Sequence, residues 1–111
     1  LFEGTLPDFN VGTRAGTSCA PELRDRVAEV VRAAEGYSHT VDGRFQGGFI
    51  TRSYGRPDEG THALQVELAQ RTYMAESPPW TYSNKGGGQV RPHLRRIVET
   101  MRAWADARAN G

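Results

Sequence analysis

The sequence is poor in the features that usually settle a class at first sight. Cys19 is its one cysteine, so no internal disulfide can form and packing has to hold the fold; a reducing, cytoplasmic setting is the expectation. Charge of neither sign dominates. The 14 basic and 13 acidic side chains leave a formal charge of +1, which removes any global electrostatic case for nucleic acid or a membrane surface as partner. Lys85 is the one lysine in the basic set, a bias of composition rather than a sign of function. No apolar run approaches the roughly 18 residues that a membrane helix needs. There is no His-Glu-x-x-His or paired Cys-x-x-Cys pattern, and His39, His62 and His93 do not stand at metal-ligand spacing, so the sequence offers no zinc site built from this chain alone. Internal repeats are absent too. At 111 residues the chain has room for one modest core, which excludes two domains. It opens on Leu1 without a methionine, and Gly4, Pro7, Asp8 and Asn10 look like the middle of a loop. The expectation is a single, incomplete domain over residues 1–111.

What is present is an ordinary apolar share of 37%, enough for a folded domain. From Pro21 to Glu35, Leu23, Val27, Val30, Val31 and Ala34 recur on one helical face, with Ser18 ahead of the start, Glu22 in the first turn and Gly36 as the stop. Three short segments read as strands: Tyr37–Val41, Gly48–Ser53 and Ala63–Leu68, separated by Asp42-Gly43 and by the turn-rich stretch from Gly55 to Gly60. Residues Glu76 to Gly88 read as a mobile loop with Trp80 and Tyr82 as anchors. A last helix is predicted from about Val90 or Pro92 to Ala109, with Leu94, Ile97, Val98, Met101, Trp104 and Ala105 on its stripe. Helix, strands and helix in this order imply an α/β layer arrangement whose sheet wants more strands than the chain supplies.

The chemistry concentrates in Gln65-Val66-Glu67. Alternation along a strand puts Gln65 and Glu67 on one face and Leu64, Val66 and Leu68 on the other. Glu67 is either a general base acting on water or half of a structural ion pair with Arg52 or Arg71. Arg52, where a strand gives way to a turn, either grips a carboxylate or pairs with Glu67 or Asp58. His62 is a single metal ligand, a substrate-orienting group or a cap. His93 is expected to face solvent, and Cys19, with no adjacent histidine, to be a packed or idle thiol. Asp8, Asn10, Thr13 and Ser18 form a polar loop running into the first helix, where free N–H groups favour anions. The cluster from Arg91 to Arg96 lacks interleaved aromatics and reads as a solvated helix face.

Two stretches, Gly47-Gly48-Phe49-Ile50-Thr51-Arg52-Ser53-Tyr54-Gly55 and the run from His62 through Gln65-Val66-Glu67 to Met74, resemble the C-terminal part of N-formylglutamate amidohydrolases, also called deformylases. Leu6 to Thr13 with Ser18-Cys19 looks like that family's loop before its helix. The resemblance runs from about Leu1 to Pro79. It implies the C-terminal part of a three-layer αβα mixed-sheet hydrolase resembling the zinc carboxypeptidases, which cleaves N-formyl-L-glutamate to formate and L-glutamate in histidine degradation. It implies that Glu67 holds the place of the catalytic carboxylate, that Arg52, Asn10, Tyr54 and Gln65 bind substrate, and that Zn2+ takes its ligands upstream of this chain, with His62 the only candidate within it. Ser53 stands where many relatives are expected to carry histidine. The partner implied is a small-molecule substrate, with no nucleic acid and no membrane. The alternatives are a non-catalytic interaction module and an amidohydrolase for another N-acyl amino acid.

Overall fold

The structure, a computed structural model, describes residues 5–110. The part of the opening-loop reading that rests on Leu1 and Gly4 lies outside them. Strand β1 (Phe9–Gly12) sits at the centre of a three-stranded sheet, between β2 (His39–Val41) and β3 (Gln65–Leu68). It runs parallel to β2, with Phe9 opposite His39 and Val11 opposite Val41. It runs antiparallel to β3, with Phe9 opposite Leu68, Asn10 opposite Glu67 and Gly12 opposite Gln65. The predicted loop around Asn10 is therefore in part a buried strand. The alternation Phe9-Asn10-Val11-Gly12 carries that signal, but a four-residue strand flanked by Pro7 and Gly12 is weak without its partners.

A parallel pair needs a crossover, and helix α1 (Pro21–Ala33) supplies it. Pro21 at its first position loses no hydrogen bond there, and Leu23, Val27 and Val31 are buried. The predicted Ser18 cap is absent. Ser18 instead bonds Ala63 in both directions, its hydroxyl donating to the Ala63 carbonyl at 2.6 Å and its carbonyl accepting the Ala63 N–H at 2.9 Å. Helix α1 and the long helix α3 (Asn84–Asn110) cover one face of the sheet. Phe9, Val11, Leu23, Val27, Val31, Val90, Ile97 and Trp104 form the core there, with Val66 and Leu68 packed against it. Burying a side chain of this size contributes about 1.5–3 kcal/mol.

Two predicted elements differ. Gly48–Ser53 was expected as a strand and is helix α2 (Phe49–Tyr54). Its β-branched and aromatic residues favour extended structure only weakly without a pairing partner. Gly47, at φ +113°, takes a conformation that breaks extension just ahead of the segment. The Arg52 N–H and the Thr51 hydroxyl then both bond the Gly48 carbonyl, at 3.1 and 2.9 Å. The second difference is α3, which starts six residues before Val90, inside the stretch read as a mobile loop. Ser83 sets the start: its hydroxyl accepts the Gly86 N–H at 3.0 Å, the N-cap arrangement. Residues 73–83 are tied by backbone bonds from Ala75 to Thr81 and from Ser83 to Tyr73.

Candidate functional site

The face of the sheet opposite the helices carries Asn10 from β1 and Gln65 and Glu67 from β3, as the register and alternation require. Gly12 shares that face, and the backbone of Gln46 and Gly47 crosses directly over it. A Cβ on Gly12 would lie 2.6 Å from the Gln46 carbonyl carbon and the Gly47 nitrogen, so only glycine admits the loop. The Gln46 carbonyl accepts the Arg14 N–H at 2.6 Å, which holds the loop in place.

Gln65 joins this loop to the carboxylate. Its Oε1 accepts the Gly48 N–H at 2.9 Å and its Nε2 donates to Glu67 Oε1 at 2.5 Å. Glu67 opens onto a cavity of about 360 Å³, lined also by Leu6, Asn10, Phe45, Arg71 and Glu76. Asn10 is buried; its Nδ2 donates to the Pro7 carbonyl at 2.8 Å and reaches the Glu67 carbonyl at 3.4 Å, while its Oδ1 has no partner among the described residues. The ion pair weighed for Glu67 is not formed with Arg71, which pairs with Asp8 at 2.9 Å. Asp8 in turn accepts the Ser38 N–H at 2.9 Å, joining the starts of β1 and β2.

Arg52 and Tyr54 lie on α2 and are exposed. Among the described residues Arg52 makes no ion pair with Glu67 or Asp58. The Tyr54 ring meets Phe49 edge-on at 6.2 Å. Gln65 and Glu67 thus share a strand face as expected; Asn10, expected in a loop, joins them from β1, and Arg52 lies on a helix where a strand was expected.

His62 takes the capping role among its alternatives, but at a helix. Its Nδ1 accepts the Ala20 N–H at 3.0 Å, at the start of α1, and its ring meets Trp104 edge-on at 4.8 Å. Burial, with the Arg108 cation second, lowers its pKa from the ordinary 6.5. His93, expected in solvent, is half-buried against Phe9 and Tyr37, with ring centroids 6.3 and 5.2 Å away. Cys19 is buried, which raises its thiol pKa against a smaller opposing effect of Arg24, as suits a packed thiol. Asp42, read only as a turn residue, gathers the Thr13 and Ala15 N–H groups and Arg24. Nothing in the Asp42-Gly43 pair distinguishes that role from a turn. Among the described residues no three His, Cys, Asp or Glu side chains come together, so these residues do not fit a zinc site of three or more protein ligands.

The architecture defines a small α/β unit with a mixed three-stranded sheet and a polar carboxylate face. The sequence model of the N-formylglutamate amidohydrolase family matches residues 1–74. The chain is 51% identical over 108 residues to an N-formylglutamate deformylase of Pseudomonas aeruginosa, covering 97% of this chain and 41% of that protein. It is 47% identical over 108 residues to an N-formylglutamate deformylase of Pseudomonas putida, covering 40% of that protein. It also resembles the crystal structure of the N-formylglutamate amidohydrolase from Ralstonia eutropha JMP134, with a TM-score of 0.74 at 26% identity, over all of this chain and 38% of that one. The chain belongs to the N-formylglutamate amidohydrolase family. It spans about two fifths of the length of these relatives.

Proposed function

We propose that the protein carrying this chain hydrolyses N-formyl-L-glutamate to formate and L-glutamate, with Glu67 as the proton-accepting carboxylate. The observation that carries the reading is the Glu67 carboxylate, held at Oε1 by Gln65 and open to a cavity, in a chain about half identical to proteins named for this deformylation. Water adds its oxygen to the formyl carbon and gives a proton to Glu67. As the C–N bond breaks, that proton passes to the departing amine nitrogen of glutamate, and the formic acid released loses its own proton to become formate. Arg52 and Tyr54 are the side chains proposed to meet the substrate carboxylates. The first turn of α2 begins next to Gly48, the residue bonded to Gln65, and the exposure of both side chains leaves them free for a ligand. A guanidinium suits a carboxylate bidentately.

The zinc ion implied by the resemblance finds no ligand set among the described residues, and no step is drawn through it; its ligands are proposed to lie in a segment outside these 111 residues. The chain is proposed to be the C-terminal part of a three-layer αβα hydrolase, acting in the cytoplasm on a histidine-degradation product. The mixed sheet, with β2 and β3 both edge strands able to pair further, supports that wider sheet. The test is formate release from N-formyl-L-glutamate by the complete protein, assayed beside other N-acyl amino acids. Turnover of another acyl substrate with none of the formyl one would overturn the substrate, and hydrolysis of neither would overturn the class.

A further inference from the structure

We propose that Gln65 is a positioning residue, which fixes the Glu67 carboxylate against the backbone of the loop at Gly48. The assignment rests on the reading of Glu67 as proton acceptor. Gln65 and Glu67 are two residues apart on β3 and share a face, so their side chains lie side by side. The direction of the amide is forced by its neighbours: a backbone N–H can only donate and a carboxylate can only accept, so Oε1 turns to Gly48 and Nε2 to Glu67. Each end of the amide thus has a partner inside the protein, which ties Gln65 to the carboxylate and to the loop at once.

The loop side of this link is rigid. Gly48 is bound through its carbonyl to Arg52 and Thr51, and the preceding Gln46 is pressed onto Gly12 and bonded to Arg14. On the carboxylate side no second anchor is found among the described residues. Among the described residues Gln65 is the side chain that donates to it. The charged neighbours lining the same cavity are Arg71 and Glu76, and Arg71 is engaged by Asp8. A strand side chain free to change rotamer would need this single bond to keep its carboxylate aimed at one place.

Two substitutions separate positioning from plain structural support. Gln65→Glu keeps an acceptor for the Gly48 N–H but has no donor for Glu67, whereas Gln65→Met keeps neither and adds no charge. In the complete protein, with N-formyl-L-glutamate, both variants are expected to lose kcat by roughly tenfold to a hundredfold with KM within about twofold, since misplacement by about an ångström has effects of that order. Activity retained by Gln65→Glu and lost by Gln65→Met would make Gln65 only a support for Gly48 and overturn the proposal. Activity lost by Gln65→Glu alone would make the effect one of added charge, and a rise in KM at unchanged kcat would return Gln65 to substrate binding. Either overturns it as well. Glu67→Gln, measured alongside, tests the underlying reading by itself: if that variant turns over normally, Glu67 is not the base, whatever Gln65 does. Crystal structures of the two Gln65 variants decide the geometry without any assay. A displaced Glu67 carboxylate in Gln65→Met supports the proposal, and one that stays in place contradicts it.

Discussion

Asp42 accepts hydrogen bonds from both the backbone N–H and the hydroxyl of Thr13, the former at 2.7 Å. That pair closes the ends of the two parallel strands, because the Asp42 N–H also donates to the Val11 carbonyl at 2.7 Å. The carboxylate is almost fully buried and holds Arg24 at 3.1 Å.

Removing this carboxylate strands several donors at once. Asp42→Ala is expected to lower unfolding stability by about 1–3 kcal/mol, the cost of leaving buried donors such as those of Thr13 unsatisfied. Asp42→Asn, which keeps an acceptor for the Thr13 N–H, is expected to lose less. Urea denaturation measures both. A loss below about 0.5 kcal/mol in Asp42→Ala, no more than an ordinary surface substitution, would remove Asp42 as the junction between β1 and β2.

Gly12 has no space for a side chain beneath Gln46 and Gly47. Gly12→Ala therefore has to push the 46–48 backbone outward, at a cost of about 1–3 kcal/mol. The same shift pulls the Gly48 N–H from Gln65, so kcat is expected to fall together with stability. Denaturation and turnover on one preparation test the link. Full turnover in a destabilised Gly12→Ala protein would separate the loop from the site.

His62 gives stability an acid-side dependence. Its folded pKa is lowered, so on acidification the unfolded chain takes up the proton first. The unfolded state binds more protons, and stability falls as pH drops below about 6.5 until the folded-state value is passed. Protonated Nδ1 also can no longer accept the Ala20 N–H. His62→Gln, which cannot titrate, is expected to flatten the fall in stability between pH 7.5 and pH 5. An unchanged slope would show that other groups produce it.

Periodicity made α1 legible: Leu23, Val27 and Val31 face the core as predicted. Alternation did the same for β3, and with it the shared face of Gln65 and Glu67. What escaped was set by distant partners. Asn10 looks like a loop residue until β2 and β3 pair on either side of it. Phe49 to Tyr54 has the residues of a strand, but Gly47 and the Gly48 carbonyl turn it into a helix. Ser83 ahead of three glycines is a cap only once Gly86 is seen to use it. His93 gives no local sign that Phe9 and Tyr37 will close around it. The proposed activity rests on the family resemblance, since no spacing in these 111 residues specifies it.

The most direct measurement is formate release from N-formyl-L-glutamate by the complete protein and by its Glu67→Gln variant under the same conditions. The carboxamide keeps the shape of the side chain and an oxygen for Gln65, but cannot accept the proton from water. A fall in kcat of about a hundredfold or more is expected, as for loss of a general base, with folding intact. Turnover by Glu67→Gln within a few-fold of the unsubstituted protein would contradict the reading of Glu67 as the base.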